Sequence, residues 1–133
     1  MNAFKPGLRA CVGLLPALSL SAALAQPASI SLKAGESADI GTAYWVDGCV
    51  SSLRSLVGVD VLDGPPGVAL TIRKEDVLPV RQNCTNKVPG GTIVASVNAV
   101  PAAVSGTLKY RIRYNTATGP RQSTHELPIS LLP

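Results

Sequence analysis

Apolar and polar residues alternate along much of the chain after residue 26. Because successive side chains of a β-strand point to opposite faces, this period of two predicts strands with one buried face. The predicted strands are 29–33, 38–46, 56–62, 68–72, 77–80, 92–97, 107–114 and 123–131. No stretch after the N-terminal segment has the apolar stripe of a helix, so the sequence predicts an all-β fold.

Turn-forming residues separate these strands at intervals of about ten residues. Segment 63–67 is the strongest break, because its two prolines cannot donate ladder hydrogen bonds and its glycines accept unusual dihedrals. The charged run 73–76 predicts a solvated bend, and 86–91 predicts a turn-rich loop. Pro79 limits strand 77–80 to an edge or crossover position. Seven or eight short strands at this spacing predict an antiparallel β-sandwich.

Two segments resemble a known group of domains. Residues 106–114, Gly-Thr-Leu-Lys-Tyr-Arg-Ile-Arg-Tyr, resemble the penultimate strand of bacterial immunoglobulin-like domains, where a glycine opens the strand and aromatic residues face inward. Residues 63–71 are similar to a mid-domain turn and strand of the same group. The antibody pattern is not met, because Trp45 precedes Cys49 instead of following it. The resemblance implies an immunoglobulin-like sandwich and no particular activity.

The period of two also predicts the core and the pairing of the last two strands. Residues 115–120 have turn chemistry, so the strands on either side should form an antiparallel hairpin. The favoured register pairs Lys109 with Glu126, Arg111 with Thr124 and Arg113 with Gln122. The residues predicted to share one core are Val57, Val59, Val61, Val68, Leu70, Ile72, Tyr110, Ile112 and Leu127.

Residues 1–25 have the features of a secretory signal peptide. Lys5 and Arg9 give a positive start, and an apolar stretch follows. The small residues in 23–25 predict cleavage before Gln26. The predicted location of the mature protein is therefore the periplasm or the exterior of the cell.

Cleavage leaves residues 26–133, which are enough for one β-sandwich domain. The apolar stretch of the leader is too short to span a bilayer comfortably, and no later segment approaches ~20 apolar residues, so no membrane span is predicted. Loss of two cations with the leader lowers the net charge from +4 to about +2. Export and this low charge argue against nucleic acid as a partner.

Two of the three cysteines remain after cleavage, because Cys11 lies in the leader. An even number in a small exported domain predicts a disulfide between Cys49 and Cys84. Closing this loop should stabilise the fold by ~3.5–4 kcal/mol in the chain-entropy model. A metal site is not predicted because the chain has one histidine. A redox pair would more often have Cys-x-x-Cys spacing.

Three candidate binding surfaces follow from the residue pattern. Tyr44 and Trp45 adjoin the disulfide; one should face outward as a carbohydrate or peptide platform, or Trp45 should cover the disulfide at the end of the core. Arg111 and Arg113 share the outer face of their strand and gain no acidic partner in the favoured hairpin register. They are predicted either to attract an anionic envelope polymer or to form a solvated face.

The third candidate is Lys87, which follows Cys84 by three residues in a loop stiffened by proline. Such a tethered loop could present a specificity residue to a serine protease, because rigid presentation lowers the ordering cost of binding. Pro and Gly are equally the residues of an ordinary loop. A secreted protease inhibitor is therefore the alternative function.

Catalytic motifs are lacking in the sequence. His125 shares parity with the apolar positions of its strand, and no Gly-x-Ser-x-Gly elbow or phosphate-binding loop is present. A hydrolase would require an accessible His125 with a serine nearby. The sequence predicts no catalytic residues and no cofactor. It predicts a binding or structural role in the periplasm or cell envelope, with an envelope protein or anionic envelope polymer as partner.

Overall fold

The computed structural model describes residues 29–133 together with Gly13. The predicted signal peptide 1–25, the cleavage position before Gln26 and Cys11 lie outside the described residues. The strands are β1 (Ile30–Lys33), β2 (Ser37–Ala43), β3 (Val46–Asp47), β4 (Val50–Ser51), β5 (Leu53–Asp63), β6 (Val68–Val77), β7 (Val88–Val97), β8 (Val104–Thr116) and β9 (Gly119–Leu132). One 3₁₀ turn, Val80–Gln82, joins β6 to β7.

Two main sheets are formed, with strand orders β1-β9-β8-β5 and β2-β7-β6, and β3 pairs with β4 in a small ribbon. All pairs are antiparallel except β1 with β9, which run parallel. The prediction of an all-β fold with antiparallel sheets is confirmed. The strands differ from the seven or eight short ones predicted: residues 29–133 form nine, and β5 to β9 contain ten to fourteen residues each.

Residues from both sheets form the main core. Tyr110 and Ile112 are buried in it as predicted, whereas Leu127 is buried outside this cluster. The predicted residues Val59, Val68, Leu70 and Ile72 pack partly buried against this core. The buried members of the cluster are Leu32, Ala43, Leu56, Ile93, Ala95, Val97, Val100, Leu108, Tyr110, Ile112, Tyr114, Ile129 and Leu131.

The core prediction is wrong for Val57 and Val61, which are 49% and 43% exposed. A β-bulge between Leu56 and Gly58 makes Val57 the extra residue, so Leu56 takes the place opposite Tyr114. Val61 lies opposite Tyr110, but β5 is the outermost strand of its sheet and no strand covers its other side. The bulge therefore interrupts an alternation that the sequence shows as continuous.

The predicted register of the β8–β9 hairpin is confirmed. Lys109 pairs with Glu126, Arg111 with Thr124 and Arg113 with Gln122. The turn is tighter than the predicted 115–120, because Thr116 already pairs with Gly119. The Thr116 hydroxyl donates to the Gly119 carbonyl at 2.8 Å, and Gly119 has a φ of +113°. Local chemistry thus fixes the register that places Tyr110 beside His125.

Segment 73–76 is exposed to solvent as predicted, but it is not a bend, because it lies inside β6 and pairs with β7. The Arg73 guanidinium forms ion pairs with Asp39 at 2.9 Å and Glu75 at 3.1 Å. The Glu75 carboxylate also accepts a hydrogen bond from the Thr92 hydroxyl. Arg73 is therefore neutralised by Glu75 of its own strand and by Asp39 of β2, on the far side of β7, and the charged run is compatible with a regular strand.

The segments that follow also differ from prediction. Residues 77–80 do not form a strand, since Val77 ends β6 and Val80 begins the 3₁₀ turn. The predicted loop 86–91 is replaced by β7 from Val88 onward. A Cβ at Gly90 would collide with the Ala43 carbonyl, so this glycine permits close approach of the backbones.

Candidate functional site

One region of the fold contains all three tyrosines, the single tryptophan and the single histidine of the chain. A cleft of about 310 Å³ is lined by Tyr44, Trp45, Val46, Arg81, Gln82, Tyr114, Ser123 and His125. An adjoining cavity of about 560 Å³ shares Arg81 and His125, and Tyr110 lines it. Because they share these two residues, we call the two spaces together the aromatic cleft. It lies where β2 and the first part of β9 are outer strands of their sheets.

A chain of hydrogen bonds joins β8 and β9 at the wall of the aromatic cleft. The hydroxyls of Tyr114 and Ser123 are 2.7 Å apart, and the Ser123 hydroxyl is 2.8 Å from His125 Nε2. Ser123 and His125 are two residues apart on β9, so both face the same side. The His125 ring also stacks against Tyr110, with centroids 5.3 Å apart. These contacts hold the imidazole in one orientation.

The opposite wall is built around Tyr44, which is 6% exposed. Its hydroxyl donates to Gln82 Oε1 at 2.7 Å and accepts from Arg81 Nε at 3.1 Å. The Arg81 guanidinium also lies over the Tyr44 ring, 5.3 Å from its centroid, in cation–π contact. In the part of the chain that the structure describes, no carboxylate lies within 4.0 Å of Arg81. Arg81 is therefore a positioned cation without an acidic partner.

Burial and charge set the protonation of the cleft. Burial lowers the pKa of His125 below its ordinary value of 6.5, and the nearby charge of Arg81 lowers it further. Burial raises the pKa values of Tyr110 and Tyr114 above their ordinary value of 10.0. At neutral pH the imidazole and phenols are therefore uncharged, and Arg81 supplies the positive charge.

Proximity of Ser123 to His125 raises the question of nucleophilic catalysis. A general base that activates serine becomes an imidazolium, and triads stabilise that charge with a carboxylate on the other ring nitrogen. Here the charged neighbour is Arg81, which disfavours the imidazolium. The Ser123 hydroxyl is also held by Tyr114. This chemistry suits recognition by hydrogen bonds better than proton abstraction.

The Cys49–Cys84 disulfide predicted from the sequence is confirmed. Cys49 lies in the turn between β3 and β4, and Cys84 lies two residues after Gln82. Asn83, which lies between Gln82 and Cys84, adopts a left-handed conformation, and its N–H donates a hydrogen bond to the Val80 carbonyl. The disulfide therefore ties the ribbon that follows Trp45 to the turn that carries Arg81 and Gln82.

Tyr44 and Trp45 both line the cleft instead of facing opposite sides of a strand. β2 ends at Ala43 and β3 begins at Val46, so the two residues stand in a break between strands. The Trp45 ring packs partly buried against the core and lies 5.2 Å from the Tyr114 ring. Trp45 thus takes part in both the core and the cleft surface.

Arg111 and Arg113 do not line the aromatic cleft, and the prediction that they lack acidic partners is wrong. Arg113 Nε lies 2.8 Å from Asp60 Oδ2, and the Arg111 guanidinium is 3.9 Å from the same oxygen. Asp60 belongs to β5, which pairs with β8 on the side away from β9. The prediction considered only partners on β9, and therefore missed the Asp60 carboxylate on β5.

Lys87 is exposed, three residues after the bonded Cys84. The next residue, Val88, is buried and pairs with Val77 at the start of β7. A protease could therefore bind only the short segment 85–87 unless the pairing of β7 with β6 were broken. The inhibitor function stays a prediction.

Sequence reasoning did not identify Arg81, Gln82 or Ser123 as members of a site. The available indications were that Arg81 lies three residues before a disulfide cysteine, and that Ser123 shares the parity of His125. Neither indication specifies a contact with Tyr44 or Tyr114. Those contacts depend on how the two sheets pack.

Comparison with family models, with curated proteins and with solved structures found no match to this chain. No helix among the described residues is long and apolar enough to cross a membrane. Within residues 29–133, no group of three or more His, Cys, Asp or Glu side chains is placed to hold a metal ion.

Proposed function

We propose that this chain is an exported, non-catalytic binding protein of the periplasm or cell envelope, with an immunoglobulin-like sandwich that presents the aromatic cleft to a ligand. The observation that carries this proposal is the gathering of Tyr44, Trp45, Tyr114 and His125 around one cleft with Arg81. A disulfide is typical of proteins in oxidising compartments, which supports export.

The geometry favours binding over a purely structural role for these residues. Aromatic side chains with polar tips contribute apolar area and hydrogen bonds at low conformational cost, and the cavity volumes match those of small-ligand sites. The hydrogen bonds of Tyr44 and Ser123 already orient their neighbours. A ligand would therefore meet a largely ordered site.

The position of Trp45 gives a direct test. It is the single tryptophan of the chain, so its fluorescence reports on the cleft without a label. Titration of the secreted protein with fractionated envelope glycans and peptides should produce a saturable change in emission from one fraction. Substitution Ser123→Ala should weaken that response, whereas Arg113→Gln on the outer face should leave it unchanged. An absence of saturable binding across all fractions would contradict the proposal.

The second candidate, inhibition of a serine protease, is supported by the exposure of Lys87 beside the Cys84 tether. Inhibition of a trypsin-like enzyme that is abolished by Lys87→Ala, but retained after Ser123→Ala, would assign the function to this loop. Equal residual protease activity with and without the protein would exclude it. The two candidates therefore respond to different substitutions.

A further inference from the structure

Arg81 gives the aromatic cleft a charge preference. Among the described residues, it is the only cation that lines either cavity, and no carboxylate neutralises it. Of its nitrogens, only Nε makes a hydrogen bond within the described part of the chain, to the Tyr44 hydroxyl. The two Nη groups keep donors that match the two oxygens of a carboxylate.

The rest of the cleft offers polar atoms spaced around an aromatic floor. Gln82, Ser123 and His125 contribute an amide, a hydroxyl and a neutral imidazole, while Trp45 and Tyr114 contribute ring surface. A ligand that satisfies these groups has several hydroxyls and one apolar ring face. The alkyl chain of a fatty acid would leave the Gln82 side-chain N–H groups without an acceptor, and that loss disfavours it.

A polyanion also fits poorly, because strong binding of a phosphate backbone requires several cations along the groove. The adjoining cavity contains Glu126 as well as Arg81. One cation and one nearby carboxylate favour a ligand with a single acidic group per sugar ring near Arg81. The nearby Glu126 disfavours a second negative charge on that side.

We propose that the aromatic cleft binds a uronic-acid-containing oligosaccharide, with the sugar carboxylate paired to the Arg81 guanidinium and the ring hydroxyls bound by Gln82, Ser123 and His125. This inference rests on the proposed binding function and adds the chemical class of its ligand. Tyr44 acts as a positioning residue, because its hydroxyl holds Arg81 Nε and leaves the Nη groups directed to the ligand.

Trigalacturonate and its fully methyl-esterified form provide a matched pair of probes, since each negative carboxylate is replaced by a neutral methyl ester on the same sugar backbone. Calorimetry with the disulfide-bonded protein should show that the acid binds about tenfold tighter than the ester, as expected for one charge-assisted pair. Arg81→Gln should abolish the preference, so that the acid and the ester bind this variant with equal affinity. Arg113→Gln, which alters an outer-face cation, is the control and should leave the preference unchanged.

The comparison of acid and ester on the unsubstituted protein needs no variant to fold. Equal affinities would overturn the uronate inference while leaving the cleft as a ligand site. A preference that survives Arg81→Gln would also overturn it, because another cation would then bind the carboxylate. If neither probe binds, the uronate class is excluded, and the titration with envelope fractions separately decides whether the cleft binds a different ligand.

Discussion

Asp60 Oδ2 lies 2.8 Å from Arg113 Nε across the β5–β8 pair, and the same oxygen is 3.9 Å from the Arg111 guanidinium. One carboxylate therefore serves two cations on the outer face of the sheet. These side chains are 36–43% exposed, so solvent screens the interaction. The sequence predicts that Arg111 and Arg113 lack an acidic partner. Asp60 provides that partner, so the two arginines are less available to bind anions than the sequence suggests.

Asp60→Asn should increase retention of the protein on an anionic matrix at low salt, because it releases both arginines from their partner. The increase should disappear at high ionic strength. The free energy of unfolding should change by less than about 1 kcal/mol, since exposed ion pairs contribute little. The double substitution of Arg111 and Arg113 by Gln is the control and should lower retention. Identical salt-dependent elution of all three proteins would show that this face does not attract anions.

The core can be tested with two apolar residues on adjacent strands. Ile112 is 1% exposed, whereas Val57 is 49% exposed at a β-bulge. Ile112→Ala should lower the free energy of unfolding by ~2–5 kcal/mol, because it leaves a cavity between the sheets. Val57→Ala should change it by less than ~0.5 kcal/mol. Urea denaturation measures both, and similar losses from the two substitutions would contradict the bulge.

Loss of the disulfide should affect both stability and the aromatic cleft. Replacing Cys49 and Cys84 together with serine removes a crosslink between residues 35 positions apart. The expected loss is ~3.5–4 kcal/mol in the chain-entropy model. Arg81 and Gln82 should also become less ordered, which would weaken ligand binding. Urea denaturation measures the loss of stability, and the Trp45 titration measures the loss of ligand binding. Mass spectrometry of the non-reduced parent should find the two cysteine peptides joined. Free thiols in the parent after expression in an oxidising compartment would refute the pairing.

The parts of the fold that depend on neighbouring residues could be predicted from the sequence. The alternation in β8 and β9 and the turn between them fix the register that brings Tyr110 beside His125. The expectation of export, together with the number of cysteines, predicts the Cys49–Cys84 bond. In each case the deciding information lies in a short segment or in the chemistry of the compartment.

Features that depend on packing between distant segments could not be predicted in this way. Arg81 contacts Tyr44 across 37 positions, and Arg113 contacts Asp60 across 53. The bulge at Val57 is hidden because Val57, Val59 and Val61 preserve the alternation through it. A period of two assigns faces only while pairing is regular, so neither the bulge nor the cleft beside the 3₁₀ turn follows from it.

The environment of His125 predicts a dependence of stability on pH. Burial, and then the charge of Arg81, lower its pKa in the folded protein below 6.5. The unfolded chain therefore takes up a proton at higher pH than the folded chain does. Stability rises with pH wherever the unfolded state binds more protons, so it should fall as the pH drops through 6.5 towards the folded pKa.

Substitution His125→Gln removes the titrating group while keeping a polar side chain near Ser123. Urea denaturation at about pH 7.5 and pH 5 should show a larger loss of stability on acidification for the parent than for the variant. The Glu75 pKa is also lowered, by its hydrogen bonds to Thr92 and Arg73, but its ordinary value of 4.5 places most of its contribution at more acidic pH. Equal losses of stability in the parent and the variant would contradict this prediction. They would mean that the His125 pKa is the same in the folded protein as in the unfolded chain, so that burial beside Arg81 does not lower it.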